Sequence, residues 1–170
     1  LNAMIDDFLN YARIGKSKDR ETMVDLNEVL TKVRENLKSL INNSDAAIEV
    51  QDLPEVRANE IELIQLFQNL VENGIKYTEK RPKIQITHEV KSGKHHFHVS
   101  YNGMGIDPRE KEKIFQMFYR GKDIQTQFNG TGIGLSQCKK IVEGLGGEIW
   151  AESEPSKGTT FHFTIPRQAE

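Results

Sequence analysis

A glycine-rich segment near the C-terminus has three glycines at a spacing of two residues and continues directly into a helical pattern. Repeated glycines let the backbone approach a ligand closely, and the first amides of a helix point outward with the positive end of its dipole behind them. These properties favour an anion, in particular a phosphate, although the alternative is a plain connection between two elements. The segment reads Asn129-Gly130-Thr131-Gly132-Ile133-Gly134-Leu135-Ser136.

A second polar set lies on a predicted central helix that ends near Tyr77, whose flat ring would lie at the edge of a pocket. On a helical wheel Asn69, Asn73 and Lys76 stack along one face at i, i+4 and i+7. Carboxamide oxygens suit a hard cation such as Mg²⁺, and a lysine suits the phosphates that the cation would bridge. The alternative is the solvated face of an amphipathic helix. Together with the glycine-rich segment, this face predicts one nucleotide site.

The hydrophobic pattern predicts the elements that must position these residues. Helices are predicted over 26–41, capped by Asp25, and over 60–77 and 133–145, with a short helix or lid over 108–119. Strands are predicted at 47–50, 83–90, 95–101, 147–153 and 159–165. Helices alternate with strands that are linked mostly by hairpins. This predicts an α+β fold, a two-layer α/β sandwich whose mixed, mostly antiparallel sheet is covered by helices on one face.

An amphipathic stripe at the N-terminus predicts a separate helical segment over residues 1–14. It is either a helix packed on its own domain or half of a helical hairpin whose other half lies outside the chain. Residues 15–21 are interpreted as a linker, and residues 22–167 as the main domain. The stripe consists of Leu1, Met4, Ile5, Phe8, Leu9 and Ala12.

Composition narrows the class of protein. The 170 residues include 23 Lys and Arg against 25 Asp and Glu, so no global field favours nucleic acid or an anionic membrane. Cys138 is the only cysteine, so no disulfide can form within the chain, and a reducing, cytoplasmic compartment is expected. No apolar run approaches the roughly 20 residues that span a bilayer, although a longer parent protein could be anchored in a membrane.

Several ordered motifs resemble those of sensor histidine kinases. Each is weak alone, and their order along the chain makes the set specific. Asn69 to Tyr77 resembles the N box of that family, Asn102 to Ile106 the rest of its G1 box, Ile114 to Arg120 its F box, Gly130 to Gly134 its G2 box, and Gly158 to Phe161 its final glycine-threonine turn. Ile5 to Arg13 resembles the end of the second helix of a dimerisation hairpin.

The resemblance implies a Bergerat-type fold that binds ATP and Mg²⁺ under a mobile lid anchored by Phe115 and Phe118. It implies that Asn73 ligates Mg²⁺, that glycine amides bind the phosphates and that Tyr77 lies along the adenine or ribose. Thr160 would reach the adenine through water. The implied catalytic residues are Asn69, Lys76 and Arg120, with Lys122 as an alternative to Arg120. The implied ATP-binding residues are Asn73, Tyr77, Tyr101, Gly103, Gly105, Ile106, Phe118, Gly130, Thr131, Gly132, Gly134, Leu135 and Thr160.

The implied reaction transfers the γ-phosphoryl group of ATP to a histidine, where positioning and charge neutralisation carry most of the catalysis. The expected partners are the protein's own dimerisation and phosphoacceptor domain, a response-regulator receiver domain and a second copy in a full-length homodimer; nucleic acid is not expected. The five histidines fall in predicted strands or their hairpin, so the acceptor is expected outside this chain. They are not expected to bind zinc, because no cysteine pair or spaced carboxylate joins them. They are His88, His95, His96, His98 and His162.

Tyr101 departs from the family pattern, because the G1 box of the family begins with an aspartate that binds the adenine amino group. Losing one buried, charge-assisted hydrogen bond costs about 1.5–3 kcal/mol, and steric blockage by the ring would cost more. The alternative function is therefore a degenerate, non-catalytic docking or signalling domain of the same fold.

ATP hydrolases of the same fold family are a further alternative. They have a general-base glutamate one turn before the metal-binding asparagine, where this chain has Asn69. Glu72 precedes Asn73 and is expected to point about 100° away around the helix. Activation of water is therefore disfavoured, and transfer to a protein histidine is preferred.

Overall fold

The structure, a computed structural model, describes residues 2–16, 18–120, 131–154 and 157–168. Its helices are α1 (Asn2–Arg13), α2 (Leu26–Asn36), α3 (Lys38–Ser44), α4 (Glu60–Lys76) and α5 (Gly134–Gly144). Its strands are β1 (Thr22–Asp25), β2 (Ala47–Val50), β3 (Glu55–Ala58), β4 (Lys83–Lys91), β5 (Lys94–Tyr101), β6 (Ile149–Glu154) and β7 (Gly158–Pro166). Short 3-10 turns lie at Lys18–Arg20, Pro108–Glu110 and Lys113–Phe115.

Five strands form the main sheet in the order β2-β4-β5-β7-β6. β2 pairs with β4 in parallel, and the other neighbours in the order are antiparallel. The register pairs Ile84 with Tyr101 across β4 and β5, and His98 with His162 across β5 and β7. The predicted mixed, mostly antiparallel sheet is therefore confirmed. β1 and β3 form a separate antiparallel pair, and β1 is not among the predicted strands.

The core lies between the main sheet and the helices on one of its faces. Side chains alternate along β5 and β7, so that Phe97, Phe161 and Phe163 are buried on the helical side. Phe67 of α4 meets Phe163 edge-on, with ring centroids 5.5 Å apart. Burying each such side chain contributes about 1.5–3 kcal/mol relative to leaving it exposed. The predicted two-layer sandwich is confirmed.

The helix predicted over 26–41 consists of two helices that meet at Leu37. Asp25 caps α2 as expected, since its carboxylate accepts the Asn27 amide hydrogen at 2.8 Å. Leu37 leaves helical geometry, with φ −100° and ψ 12°, while its side chain stays buried. The apolar periodicity continues through this bend, so the pattern alone could not locate the break.

The short helix or lid predicted over 108–119 includes two 3-10 turns. Asp107 caps the first by accepting the Arg109 amide hydrogen at 2.9 Å. Phe115 in the second turn is buried and meets Phe161 edge-on at 6.1 Å. Turns of this kind are typical of short connectors.

α1 packs on the main domain. Lys140 of α5 donates to the Tyr11 carbonyl at 2.8 Å, and its ammonium lies 4.4 Å from the centroid of the Tyr11 ring. Ile14 is buried, and the Gly15 amide donates to Glu62 Oε1 at 2.8 Å, so the start of the predicted linker is attached to α4. Within the described ranges, no helix has both the length and the apolar character needed to cross a bilayer.

Candidate nucleotide-binding site

The carboxamide face of α4 lies against the N-terminus of α5. Leu70 and its apolar neighbours fix the opposite side of α4 in the core. Asn69 then donates its side-chain amide to the Gly134 carbonyl at 3.2 Å and to Gln137 Oε1 at 2.9 Å. The two predicted halves of the site therefore face each other.

Asn73 and Lys76 follow Asn69 along this face. Asn73 borders both cavities described below, and its side-chain amide has no hydrogen-bond partner among the described residues. Lys76 Nζ lies 2.7 Å from Glu72 Oε1, four residues earlier in the helix. Solvent weakens this pair, because both side chains are partly exposed. Lys76 can therefore exchange Glu72 for a phosphate at little cost.

The glycine-rich segment closely approaches Phe118, which follows the 3-10 turn at Lys113–Phe115. Gly132 has φ 76°, and a Cβ there would lie 2.8 Å from the carbonyl carbon of Phe118. The Phe118 amide donates to the Gly132 carbonyl at 2.8 Å. Only glycine fits this combination of left-handed backbone and close approach. Ile133, which precedes α5, supplies no side-chain cap, so the first amides of the helix remain suited to an anion.

A cavity of about 620 Å³, called the polar cavity after the charged and carboxamide side chains that border it, separates the α4 face from this segment. Its volume lies within the about 300–1,000 Å³ that is usual for ligand pockets. Acidic side chains (Asp7 and Glu72) and basic ones (Lys76 and Arg120) both border it, which gives a balanced field rather than a cationic one. The predicted site residues at this cavity are Asn69, Asn73, Lys76, Tyr77, Arg120, Thr131, Gly132, Gly134 and Leu135.

α1 contributes to this cavity, although no pattern in the sequence indicates it. The Thr131 hydroxyl donates to Asp7 Oδ2 at 2.7 Å, and Gln137 Nε2 donates to the Asp7 carbonyl at 2.8 Å. Asp7 and Thr131 are 124 residues apart in the chain, so only tertiary packing brings them together. Glu72 also borders the cavity, which the helical wheel did not predict.

A smaller, mostly apolar cavity of about 60 Å³ shares four wall residues with the polar one. The shared residues are Asn73, Tyr77, Ile114 and Leu135. The remaining wall comes from β5, β7 and the segment after β5. It includes the predicted residues Tyr101, Gly105 and Ile106. The Ile106 amide donates to Ser153 Oγ at 2.6 Å, which fixes this wall to β6.

Tyr101 occupies the space beside this cavity. Its ring lies between two glycines, because a Cβ at Gly74 or at Gly103 would be 3.2 Å from a ring carbon. Burial raises the pKa of Tyr101 well above its usual range, and the nearby Thr159 hydroxyl only partly opposes this. The phenol therefore stays neutral at physiological pH. The remaining space of about 60 Å³ is far below the roughly 300–1,000 Å³ that is usual for ligand pockets, so the Tyr101 ring narrows the base side of the site.

The predicted role of Thr160 is wrong. Its side chain lies on the face of the sheet opposite the helices, where its hydroxyl is 2.8 Å from Ser100 Oγ. Side chains alternate along β7, so Phe161 reaches the apolar cavity and Thr160 cannot. Thr159 points to the correct side, with its hydroxyl 3.3 Å from the Met104 carbonyl. Because Thr159 and Thr160 are adjacent, the motif alone did not show which of the two side chains faces the cavity.

Four further predicted residues lie outside both cavities or outside the described residues. Gly130 and Lys122 fall among residues 121–130, which the structure does not describe. Phe118 is 52% exposed and does not line either cavity, so its contribution is the backbone contact with Gly132. Gly103 supports the apolar cavity from behind, since a Cβ there would lie 2.7 Å from the Tyr77 carbonyl oxygen.

This chain is similar in sequence and in fold to known proteins. Residues 58–169 match the family described as histidine kinase-, DNA gyrase B-, and HSP90-like ATPase. Phytochrome-like protein Cph1 of Synechocystis sp. is 45% identical over 167 residues, which are 98% of this chain and 22% of that protein. The chain thus spans less than a quarter of the length of this relative.

Solved structures of histidine kinases resemble this chain as well. The nucleotide-free catalytic domain of histidine kinase ThkA is 34% identical with a TM-score of 0.73, over 86% of this chain and 95% of that one. ThkA in complex with response regulator protein TrrA has a TM-score of 0.73 at 30% identity, over 99% of this chain and 47% of that one. Full-length ShkA in complex with AMPPNP has a TM-score of 0.79 at 26% identity, over 99% of this chain and 36% of that one.

The motifs, the facing halves of the site and these matches agree with one another. The chain therefore belongs to the family of histidine kinase-, DNA gyrase B- and HSP90-like ATPases and is an ATP-binding catalytic domain of the histidine kinase type.

Proposed function

We infer that the chain binds ATP with Mg²⁺ and supplies the γ-phosphoryl group to a histidine outside these residues, for relay to a response-regulator aspartate. The observation that carries this proposal is the polar cavity between the Asn69 and Asn73 face of α4 and the N-terminus of α5. The complex of ShkA with AMPPNP, an ATP analogue, supports the nucleotide. The complex of ThkA with TrrA supports the response regulator as a partner.

The residues at the cavity fit Mg²⁺. Asn73 offers a carboxamide oxygen that no described residue engages, and hard cations prefer oxygen ligands together with several waters. When bound, Mg²⁺ would neutralise charge on the phosphates. Asn69 is a positioning residue, because its amide is committed to α5. Lys76, Arg120 and the first amides of α5 would hold the phosphate oxygens, with Lys76 released from Glu72.

On the base side, Tyr77, Gly105, Ile106 and Leu135 would enclose the adenine. We assign to Thr159 the adenine contact that the resemblance implied for Thr160. A non-catalytic domain of the same fold is the second candidate function. Tyr101 favours it, because its ring narrows the base side to a cavity of about 60 Å³.

The N-terminal helix is proposed to belong to the dimerisation element of a full-length homodimer. Its apolar residues are 44–53% exposed, although α1 is otherwise attached to α5. These residues are Met4, Ile5, Phe8 and Leu9. A cytoplasmic location and the absence of nucleic-acid binding are part of the same proposal.

Replacing Asn73 tests the nucleotide site. We expect Asn73→Ala to weaken binding of ATP in Mg²⁺ at least tenfold, and to have little effect in EDTA, because only the cation ligand is lost. Isothermal titration on both proteins measures this, in a Tyr101→Asp background if the original chain binds too weakly.

Asn36→Ala is the matched control, since Asn36 bonds Gln68 on the outer side of α2 and α4 and lies outside the site. Equal losses with and without Mg²⁺ would contradict the role of Asn73 as a cation ligand. Undiminished affinity of the Asn73 variant in Mg²⁺ would overturn the proposed site.

A further inference from the structure

The face of the main sheet opposite the nucleotide site carries a cluster of three histidines. His96 and His98 are two residues apart on β5, so their side chains leave the same face. His162 on β7 is the register partner of His98. The sheet thus brings together residues that lie 64 positions apart in the chain.

The three side chains offer nitrogen ligands at the spacing of a metal site. One ring nitrogen from each lies within 4.8 Å of the others. The Nδ1 atoms of His98 and His162 are 2.8 Å apart, and the rings of His96 and His98 stack at 4.5 Å. Zinc and related borderline ions bind imidazole nitrogen at about 2.0–2.1 Å, so one ion between the rings needs only small side-chain rotations.

Two carboxylates adjoin the cluster from neighbouring strands. Glu152 Oε2 on β6 lies 3.2 Å from His162 Nε2, and Glu89 Oε1 on β4 lies 3.6 Å from His98 Nε2. Nε2 of His96 and Nε2 of His162 are buried, and among the described residues neither has a partner in hydrogen-bond geometry, although Glu152 lies close to His162. A cation would give such nitrogens a partner, and the carboxylates could orient the rings or supply a fourth ligand. The spaced carboxylates that the sequence pattern lacked are therefore supplied by adjacent strands.

We propose that His96, His98 and His162 bind a borderline divalent metal ion, with Zn²⁺ as the best fit, completed to four ligands by water or by a neighbouring carboxylate. Tetrahedral coordination by three histidines and one further ligand is a usual geometry for Zn²⁺. The site is separate from the proposed Mg²⁺ site, which offers oxygen ligands on the other side of the sheet. Its occupancy does not depend on ATP.

Titration of the whole, tag-free chain with Zn²⁺ and Co²⁺ tests this proposal. We expect one equivalent to bind, with the visible absorption bands of four-coordinate Co²⁺ and displacement of Co²⁺ by Zn²⁺. Millimolar Mg²⁺ should not displace either ion. Trp150 provides a second signal, because it is the only tryptophan and stacks on the His162 ring at 5.2 Å and 6°.

Substitutions identify the ligands. His98→Gln and His162→Gln should each weaken Zn²⁺ binding at least tenfold, and should remove the rise in thermal midpoint that Zn²⁺ gives the original chain. His88→Gln is the matched control, because His88 pairs with His95 at 2.9 Å outside the cluster. Circular dichroism establishes that each variant is folded, and His96→Gln replaces any variant that is not.

Two results would overturn the proposal. One is the absence of a Co²⁺ spectrum and of a Trp150 response in the original chain. The other is metal binding that survives in folded His98→Gln and His162→Gln proteins, or that is lost equally in His88→Gln. Titration of ATP against His98→Gln should match the original chain, so failure of this site and failure of the nucleotide site are distinguishable.

Discussion

At the scale of single residues, Tyr101 sets the shape of the base side of the candidate nucleotide site. Its ring lies between Gly74 and Gly103 and leaves about 60 Å³ of adjoining space. Its hydroxyl stays neutral because burial raises the pKa. An aspartate at this position would be smaller and would bring a negative charge that binds an amino group. One residue therefore controls both the volume and the polarity of the base side.

Exchanging Tyr101 for aspartate should restore binding of the base. We expect Tyr101→Asp to bind ATP at least tenfold more tightly than the original chain, because a charge-assisted hydrogen bond contributes about 1.5–3 kcal/mol. The free energy of unfolding should fall, since a buried ring is removed. Parallel titrations with ATP, and urea denaturation of each protein, measure both effects.

Tyr101→Phe is the control for this comparison, because it keeps the ring and removes only the hydroxyl. It should bind ATP as weakly as the original chain. Equal and tight binding by the tyrosine and aspartate forms would show that the ring does not obstruct the base.

At the scale of elements, the entry to α5 depends on one backbone contact. Gly132 is in the left-handed region and lies directly against the backbone of Phe118. This contact holds the segment that follows the Lys113–Phe115 turn beside the first turn of α5. The phosphate side of the cavity therefore depends on the pairing of two segments rather than on a single side chain.

Gly132→Ala should disrupt this pairing. We expect a loss of about 2 kcal/mol or more in the free energy of unfolding, because alanine is strained at φ 76° and its Cβ would lie 2.8 Å from backbone. Nucleotide affinity should fall as well. Urea denaturation and ATP titration measure the two effects.

Gly144→Ala is the matched control at the other end of α5. A Cβ there meets nothing within 4 Å, and alanine is favoured over glycine in a helix. It should leave the stability unchanged or raise it by up to about 1 kcal/mol. If Gly132→Ala were as stable as Gly144→Ala, the close approach to Phe118 would not be structurally important.

At the scale of the whole molecule, the sheet separates two kinds of surface. The helical side carries the core and the two cavities of the candidate nucleotide site, and α1 closes one wall of the polar cavity through Asp7. The opposite side carries Ser100, Thr160 and the histidine cluster. Because strand alternation fixes which residues reach which side, the two proposed ion sites can be tested independently.

The buried thiol of Cys138 reports on the integrity of this fold. Burial raises the pKa of Cys138 to about 12, and its thiol lies in the core against the Leu66 carbonyl. Since the thiolate is the reactive form, we expect negligible modification by a disulfide reagent at pH 8 in native buffer. Modification should become rapid in urea, in step with loss of the circular dichroism signal. Stoichiometric reaction within seconds in native buffer would contradict this packing.

The amino-acid sequence by itself determined the class of fold and predicted most of the residues that line the candidate site. Periodicity located α4 and α5, because helical spacing is a local property. The same spacing put Asn69, Asn73 and Lys76 on one face, and the glycines marked the close approach at Gly132. The sequence could not distinguish Thr159 from Thr160, because either threonine satisfies the motif. Only the register of β7 determines which of them faces the helical side of the sheet.

Only the tertiary structure decided which distant residues meet. Asp7 joins the polar cavity through the docking of α1, and His98 joins His162 through the pairing of β5 with β7. Neither contact leaves a periodic signal in the chain, because pairing of strands and docking of helices depend on the summed burial of many side chains. Spacing along the sequence shows which side chains share one face of a helix or strand. The packing of the elements determines which distant residues that face contacts.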